Sequence, residues 1–314
     1  RLKPGNHDVN SELNWRGLLL GRVNLGAGSA LLDSAPGAFA LLEPLELDVL
    51  GGLLSLDRLS YRLPGAAPED GADSRFEIKA HLEQVDMEML TAALDWPRFS
   101  GKLSGEVPGA TLRNGVLSVD GEIRVDVFDG AVVIRDLEAE RIFGVLPSLS
   151  ASIDLKNLDL EQLTETFEFG RIGGRVDGYV HDLRMLEWQP VAFDAWVGTP
   201  DRQSKSEAIS RQAVNHLTTI GGGGATTALT SPLLRMFNSF SYRRLGLGCR
   251  LQNHTCTIRG ISEDGNSVLL LEGAGIPRIS VRAWNRSVDW PQMVANLEAI
   301  SSGESIQVGG APDP

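Results

Sequence analysis

The sequence repeats a pattern of strands, turns and one short helix in two stretches of the chain. Three pairs of segments match in the same order: residues 48–59 with 126–137 at an offset of 78, residues 85–91 with 158–164 at an offset of 73, and residues 101–109 with 170–178 at an offset of 69. The offset changes only by lengths that are typical of loops. A repeated β unit buries its apolar face by stacking on the next copy. The sequence therefore predicts an architecture that grows by adding units, with its functional surface spread along them.

Apolar and polar residues alternate through most of the chain from Asn14 to about Val197. Such period-two patterning places one face of each strand against an apolar interior and the other in water. Gly105 and Gly174 interrupt two of these strands, and a glycine inside a strand marks strong curvature or the close approach of another group. With 35 glycines and 15 prolines in 314 residues, the pattern predicts a mainly β protein of antiparallel strands.

Two aspartates stand where the N-caps of short helices are expected. Asp86 precedes residues 87–94, and Asp159 precedes residues 160–167. Each predicted helix is followed within a few residues by a glycine-rich strand. The repeats, at about residues 44–109 and 122–178, therefore each contain strands, one helix and further strands.

The residue pattern changes from strand alternation to helix signals after Thr199, which predicts a second region. Residues 204–207 have the capping-box pattern and predict the start of a helix. Asp289 precedes a final predicted helix, and the last dozen residues are typical of a flexible tail. We therefore divide the chain into a repeated β segment, residues 1–198, and a C-terminal cap of helices, a disulfide hairpin and a tail, residues 199–314.

The two cysteines, Cys249 and Cys256, lie in alternating strand-like sequence on either side of a predicted turn at Gln252 and Asn253. A two-residue turn there places the cysteines directly opposite each other, where their Cβ atoms are close enough for a disulfide. The alternative is a pair of reduced core cysteines. A disulfide indicates an oxidising compartment. No further cysteine or suitably spaced histidine pair completes a zinc site.

The formal charge of −12 argues against nucleic acid, whose binding needs a basic face. No apolar run is long enough to cross a bilayer. Because the sequence begins at Arg1, we expect the chain to be a fragment of a longer protein, with any membrane anchor upstream.

No catalytic motif is present in the sequence. There is no Gly-x-Ser-x-Gly, and the Gly101-Lys102 pair lacks the glycine that a phosphate loop requires at position 96, which is Trp96. The five histidines are scattered, and the carboxylates occupy the polar positions of amphipathic strands. We therefore predict a non-enzymatic protein without catalytic residues, metal site or cofactor.

The glycine-rich repeats with short helices resemble the AsmA-like superfamily. Within it, the segment at about residues 165–300 is similar to the YdbH family, which also carries a "dicarboxylate transport" domain name. The motifs that carry this similarity are residues 169–178, 188–194, 210–215 and 220–222, the cysteine hairpin, and residues 273–278 and 285–291. The upstream repeats agree with the family more loosely.

The resemblance implies a periplasmic bridge for lipids. Members are anchored in the inner membrane by an N-terminal helix and reach toward the outer membrane. Their elongated, curved sheet forms a U-shaped apolar groove that carries phospholipid acyl chains. The C-terminal end is implied to meet a small outer-membrane lipoprotein of the YnbE type by strand addition.

An amphipathic sheet that does not close on itself has to cover its apolar face or leave it open as a groove. The candidate groove residues are the inward positions of the repeated strands: Leu103, Val107, Leu117, Val119, Ile123, Val125, Val127, Ile172, Val176, Phe193 and Val197. The alternative for these residues is that they pack against each other and the helices. The alternative for the whole protein is a non-catalytic scaffold that recruits a partner by strand addition and carries no lipid.

Overall fold

The computed structural model describes residues 9–20, 23–63, 75–94, 101–113, 115–141, 145–200, 206–220, 236–265 and 267–301. Within these residues the protein is mainly β, with antiparallel strand pairs and short helices. The predicted fold class is therefore confirmed. The predicted C-terminal tail lies mostly outside the described residues.

The chain divides into two compact units. Unit 1 comprises Arg1–Val127, Ala131–Ile153 and Met185–Gln189, and unit 2 comprises Phe128–Gly130, Asp154–Arg184 and Pro190–Pro314. The boundary that the sequence suggests, between residues 198 and 199, lies inside unit 2.

The elements up to the first repeat and through it are β1 (Val9–Trp15), β2 (Leu19–Leu20), β3 (Val23–Asn24), β4 (Gly28–Ala35), β5 (Ala38–Leu41), β6 (Leu45–Val49), β7 (Gly52–Arg62), β8 (Arg75–Asp86), α1 (Met87–Leu94), β9 (Lys102–Arg113) and β10 (Val116–Val119). The second repeat contains β11 (Glu122–Val127), β12 (Gly130–Glu140), β13 (Ser148–Asp159), α2 (Leu160–Thr166) and β14 (Arg175–Leu186).

The remaining elements are β15 (Gln189–Gly198), β16 (Glu207–Ser210), α3 (Arg211–Ile220), β17 (Ser239–Gln252), β18 (Thr255–Gly260), β19 (Ser262–Asp264), β20 (Ser267–Ala274), β21 (Val281–Ala283), β22 (Ser287–Asp289) and α4 (Trp290–Ser301).

The sheet of unit 1 is built around three long strands. β7 pairs with β8, and β8 pairs with β9, all antiparallel. The other edge of β7 is shared by β5 and β6, and the other edge of β9 is shared by β10 and β11. β4 continues the sheet from β5, and β1 pairs with β4. Residues that lie directly opposite each other in these strands share a face of the sheet.

A local motif joins the turn before β7 to the start of α1. Leu50 and Gly51 both have positive φ, as the central residues of a tight hairpin turn do. The Leu50 carbonyl accepts a hydrogen bond from the Asp86 N–H at 2.9 Å. Oδ1 of Asp86 in turn accepts from the Glu88 N–H at 2.9 Å, which confirms it as the predicted cap. The Met87 N–H donates to the carbonyl of Gly101, so the motif also fixes the start of β9.

The same motif recurs in unit 2. Phe128 and Asp129 have positive φ, and the Phe128 carbonyl accepts from the Asp159 N–H at 2.8 Å. Oδ1 of Asp159 caps α2 by accepting from the Gln162 N–H at 2.9 Å, and the Leu160 N–H donates to the carbonyl of Gly174. The repeat predicted from the sequence is therefore present in the local geometry.

One of the three sequence alignments was wrong. Because Gly101 and Gly174 accept the same helix N–H group, β9 corresponds to β14 at an offset of 73, not 69. The Gln84 N–H bonds the Ser104 hydroxyl, and the Asn157 N–H bonds the Asp177 carboxylate in the same way. The Gly-rich runs can be aligned in either register, and only the hydrogen bonds distinguish them.

The motif has a further partial copy at α3, which was not predicted from the sequence. The Arg211 N–H donates to the Asn238 carbonyl at 3.0 Å, and the Ser210 hydroxyl caps α3 by accepting from the Ala213 N–H. Helix α3 therefore begins at Arg211. The predicted helix is therefore present, but its start predicted at residues 204–207 was wrong, because Glu207 lies in β16, which pairs with β17.

Unit 2 has its own core, in which α3 packs against β21. The largest fully buried side chain is Tyr242, whose hydroxyl donates to the Gly173 carbonyl at 2.6 Å. Burial raises the pKa of this phenol, with a smaller contribution from Glu207. The Trp196 ring lies on β17, where a Cβ at Gly246 would approach it to 2.7 Å. Glycine in β17 therefore makes room for an aromatic ring.

Candidate functional site

Unit 1 contains an apolar cavity of about 890 Å³. Except for His81 and Gly105, all of the residues that line it are apolar. The lining residues are Leu13, Trp15, Leu18, Leu25, Ala30, Leu32, Phe39, Leu41, Leu45, Leu47, Leu54, Leu56, Leu59, Ile78, Ala80, His81, Leu82, Leu103, Gly105, Val107, Ile123 and Val125. This cavity is the candidate functional site.

The strand register explains why the lining is so uniform. Leu54 pairs with Leu82, Leu82 with Gly105, and Gly105 with Val125, so one row of inward positions crosses four strands. Residues directly opposite in antiparallel strands point to the same face. His81, on the other parity of β8, also borders the cavity, and its imidazole lies near the carboxylates of Asp57 and Glu83, at 3.7 and 3.8 Å. The alternation seen in the sequence thus produces a continuous apolar wall.

Gly105 is a point of close approach within this wall. A Cβ on Gly105 would lie 2.8 Å from the Arg124 carbonyl oxygen of the neighbouring strand. Contacts this short between a Cβ and the backbone do not occur without displacement of the chain. Glycine at this position therefore allows β9 and β11 to approach each other, as the sequence predicts for a glycine inside a strand.

One end of the cavity adjoins a compact buried cluster. Its buried members are Leu25, Leu47, Val49 and Val85, with exposed fractions of 9%, 3%, 4% and 2%. Half-buried apolar side chains pack around it, and they include Trp15, Leu54, Leu82 and Leu103, which also line the cavity. The cluster lies beside the β6–β7 turn, because Val49 pairs with Gly52. The cavity therefore ends in a packed wall at this turn.

Trp15 holds an unusual position in the wall. A Cβ on Gly28, its partner across β1 and β4, would lie 2.5 Å from Cζ2 of the indole. The ring therefore rests on the backbone of β4. Within the residues that the structure describes, the buried indole Nε1 has no hydrogen-bond partner, and an unpaired buried donor costs roughly 1–3 kcal/mol. The site thus keeps a large aromatic ring in place in spite of this cost.

The opposite end of the lining lies toward Leu59 and Ile78. Phe39, Leu41, Leu59 and Ile78 line the cavity there and are only half-buried. Phe39 also lies against Tyr61, with ring centroids 5.8 Å apart. The two ends of the cavity therefore differ in that the first includes the buried Leu25 and Leu47, although Leu18, which is hydrogen-bonded to Leu25, is 42% exposed.

The structure brings four of the eleven predicted groove residues together at the cavity. Leu103, Val107, Ile123 and Val125 line it. Leu117, Val119 and Val127 are half-buried in unit 1 and are not part of the lining.

The other four predicted groove residues lie in unit 2. Ile172 and Val176 are buried in its core, with exposed fractions of 2% and 0%. Phe193 packs edge-on against Trp290, with ring centroids 5.2 Å apart, and Val197 pairs with Leu247 of β17. For Ile172 and Val176 the packing alternative, which the sequence left open, describes the observed environment.

Most of the lining residues were missed from the sequence. The missed residues belong mainly to β4–β8 and to the start of the chain, which precede the predicted groove positions. Alternation in residues 53–61 and 76–82 carries the same signal as in the predicted strands. That signal identifies an apolar face, and the pairing of β7 with β8 makes the face continuous.

The strongest charge network of unit 2 surrounds Asp194. Its carboxylate accepts hydrogen bonds from Arg250, at 2.9 and 2.5 Å, and from Arg259. Burial of the carboxylate opposes ionisation, but the two guanidinium groups outweigh it and hold the pKa of Asp194 below its ordinary value. Arg250 faces Asp194 directly in the register of β15 and β17. The network therefore ties the cysteine hairpin to β15.

Cys249 and Cys256 form the predicted disulfide, with their Cα atoms 5.5 Å apart. The predicted register was wrong. The turn consists of Asn253 and His254, both with positive φ, so Leu251 faces Cys256 and the two cysteines are diagonal neighbours. Asparagine tolerates this conformation and starts the turn one residue later than predicted.

Other features bear on the chemistry of the chain. Within the residues that the structure describes, no three His, Cys, Asp or Glu side chains come together in an arrangement that could hold a metal ion. None of the helices in the described ranges is long and apolar enough to span a membrane.

Comparisons with protein-family models, with curated proteins and with solved structures found no match. Functional inference therefore rests on the residues and geometry of the chain, above all on the cavity in unit 1.

Proposed function

We propose that this protein carries phospholipids between the inner and outer membranes of the bacterial envelope, with acyl chains held in the apolar cavity of unit 1. It acts without chemistry, as a conduit or carrier. The observation that carries this proposal is the wall of twenty apolar residues, eighteen of which lie on eight strands of the sheet.

The cavity has the size and chemistry that acyl chains need. At about 30 Å³ for each methylene, which is close to the share of liquid volume of one water, the cavity holds roughly thirty methylenes. That capacity matches the two chains of one phospholipid. Acyl chains require apolar contact and no polar partner. The lining offers apolar side chains and almost no polar groups. A polar substrate would lose its hydrogen bonds with water and gain none in return.

The energetics suit transport as well as binding. Removing a methylene from water contributes about 0.8 kcal/mol, whether the chain enters a bilayer or a protein cavity. Because the two apolar environments are nearly equivalent for the chain, a lipid exchanges between them without a large net change in free energy. The cavity can therefore both accept a lipid and release it.

The disulfide supports an extracytoplasmic location, because oxidising compartments maintain such bonds. We place the protein in the periplasm, in keeping with its resemblance to the AsmA-like superfamily and its YdbH family. In this proposal the full-length protein is anchored in the inner membrane, and its C-terminal region meets an outer-membrane lipoprotein of the YnbE type.

Mass spectrometry of lipids that copurify with the protein tests the proposal. We expect the wild-type chain to carry phospholipid and Val125→Asp to lose most of it, because a carboxylate in the lining is costly to desolvate. Arg124→Asp is the matched control, since Arg124 is the exposed neighbour on the same strand. Folding of both variants is checked by circular dichroism.

Two outcomes would contradict the proposal. A wild-type protein that neither copurifies with phospholipid nor takes it up from vesicles would favour a scaffold that recruits a partner by strand addition. Equal loss of lipid in Val125→Asp and Arg124→Asp would show that lipid is not held in the cavity.

A further inference from the structure

We propose that the wall formed by Trp15, Leu25 and their neighbours sets the length of acyl chain that the cavity of unit 1 accepts. This inference rests on the proposed function and adds to it a specificity-determining site. Neither the repeat nor the alternation of the sequence indicates it. It follows from how the cavity ends.

The buried cluster at this end is a structural barrier to the hydrocarbon. Leu25 belongs to the buried cluster with Leu47, Val49 and Val85, where no side chain is more than 9% exposed. Protein interiors are packed as tightly as organic crystals, so a chain end cannot pass such a cluster without displacing it. An acyl chain lying along the cavity therefore stops at these residues.

The wall limits the length of the cavity in the direction of the strands. On β7 the lining extends from Leu54, which contacts the cluster, to Leu59. At about 3.3 Å for each residue, this segment is roughly 17 Å long. At the far end, Leu59 pairs with Ile78, and both side chains are half-buried. A chain that passes Leu59 therefore leaves the lining, whereas at the other end it meets the buried cluster.

Trp15 is the largest side chain of this wall. Its ring is seated where Gly28 leaves space, since a Cβ there would meet Cζ2 at 2.5 Å. Ala30, two residues along β4, is a small residue of the same lining and is 7% exposed. Replacing the large ring of Trp15 by a smaller side chain should therefore lengthen the space for an acyl chain. Replacing Ala30 by a larger side chain should shorten it.

The test measures the affinity of the full chain for saturated fatty acids of increasing length, by displacement of a fluorescent fatty acid. For the wild type, each added methylene should increase affinity by up to about fourfold until the cavity is filled, after which the increase stops. We call the chain length at which it stops the break point. Trp15→Ala should move the break point to longer chains, and Ala30→Leu should move it to shorter ones.

Leu25→Ala is a second enlarging variant, which decides the question if Trp15→Ala does not fold. Trp284→Ala is the control, because Trp284 is a 61% exposed tryptophan of unit 2. Its break point should equal that of the wild type.

An unchanged break point in the folded enlarging variants and in Ala30→Leu, with binding retained, would overturn the inference and leave the proposed function intact. A wild-type protein that binds none of the fatty acids and no phospholipid would instead overturn the proposed function, and this inference with it. A break point that also moves in Trp284→Ala would show a global effect and would contradict the role of the wall.

Discussion

The backbone N–H of Asp159 donates a 2.8 Å hydrogen bond to the carbonyl of Phe128. The corresponding bond joins Asp86 to Leu50 in the first copy of the repeat, at 2.9 Å. In both copies the acceptor lies in a hairpin turn with positive φ, and the donor residue caps a helix with its side chain. The repeated unit is therefore a hydrogen-bonded junction between a turn, a strand and a helix.

The junction leaves no space at the first residue of the strand after the turn. A Cβ on Gly52 would lie 2.4 Å from the Glu83 carbonyl oxygen. We expect Gly52→Ala to lower the free energy of unfolding by about 1–3 kcal/mol, because the backbone of β8 has to move. Urea unfolding measures the change. Gly17→Ala is the control, since a Cβ there meets no atom within 4 Å, and a loss as large as that of Gly52→Ala would contradict this account.

The Asp194 network should make a measurable contribution to stability. Asp194→Asn leaves the charges of Arg250 and Arg259 without their shared carboxylate. We expect a loss of about 2–3 kcal/mol in the free energy of unfolding. Asp126→Asn is the control, because its pair with Arg124 is more than half exposed on both sides and should contribute at most about 0.5 kcal/mol. Similar losses in the two variants would disprove the special role of Asp194.

The same carboxylate predicts a pH dependence. Because the folded pKa of Asp194 is lowered from its ordinary value of 3.8, its stabilising contribution is fully present above that value. It is lost as the pH falls through the lower, folded pKa. Acid titration of the wild type and Asp194→Asn should therefore show stability curves that converge below pH 3.8. Parallel curves over this range would contradict the assignment.

The disulfide should be present in protein from an oxidising compartment and should stabilise the hairpin. The cysteines are seven residues apart, and closing so short a loop contributes about 2–3 kcal/mol in the chain-entropy account. Alkylation without reductant should label neither cysteine. Reductant should lower the melting temperature of the wild type and leave Cys249→Ser/Cys256→Ser unchanged. Labelling of both thiols before reduction would contradict the prediction.

The alternation in the sequence identified apolar faces of strands. It did not show whether such a face lines the cavity or is buried by another element. Alternation identified Val125 and Val176 by the same rule, yet Val125 lines the cavity and Val176 is fully buried. The difference comes from long-range packing: Ile172, near Val176, pairs with Ile209 of β16, which begins some thirty residues later in the chain. A period-two pattern contains no information about such a partner.

The register of strand pairing was the other feature that could not be predicted from the sequence. The disulfide could be predicted because any short hairpin brings Cys249 and Cys256 together, but the turn lies one residue later than expected. The repeat could likewise be detected without knowing the exact pairing of its strands. Its third segment was misaligned because glycines recur at Gly101, Gly170 and Gly174. In both cases the backbone hydrogen bonds of the structure settle the pairing.

The central claim, that the cavity of unit 1 holds acyl chains, is tested most directly by photo-crosslinking in cells. A benzophenone amino acid is introduced at Val125, which lines the cavity, or at Arg124, its exposed neighbour. We predict phospholipid adducts, detected by mass spectrometry, from position 125 and none above background from position 124. Adducts that are absent at position 125, or equally abundant at both positions, would contradict the claim.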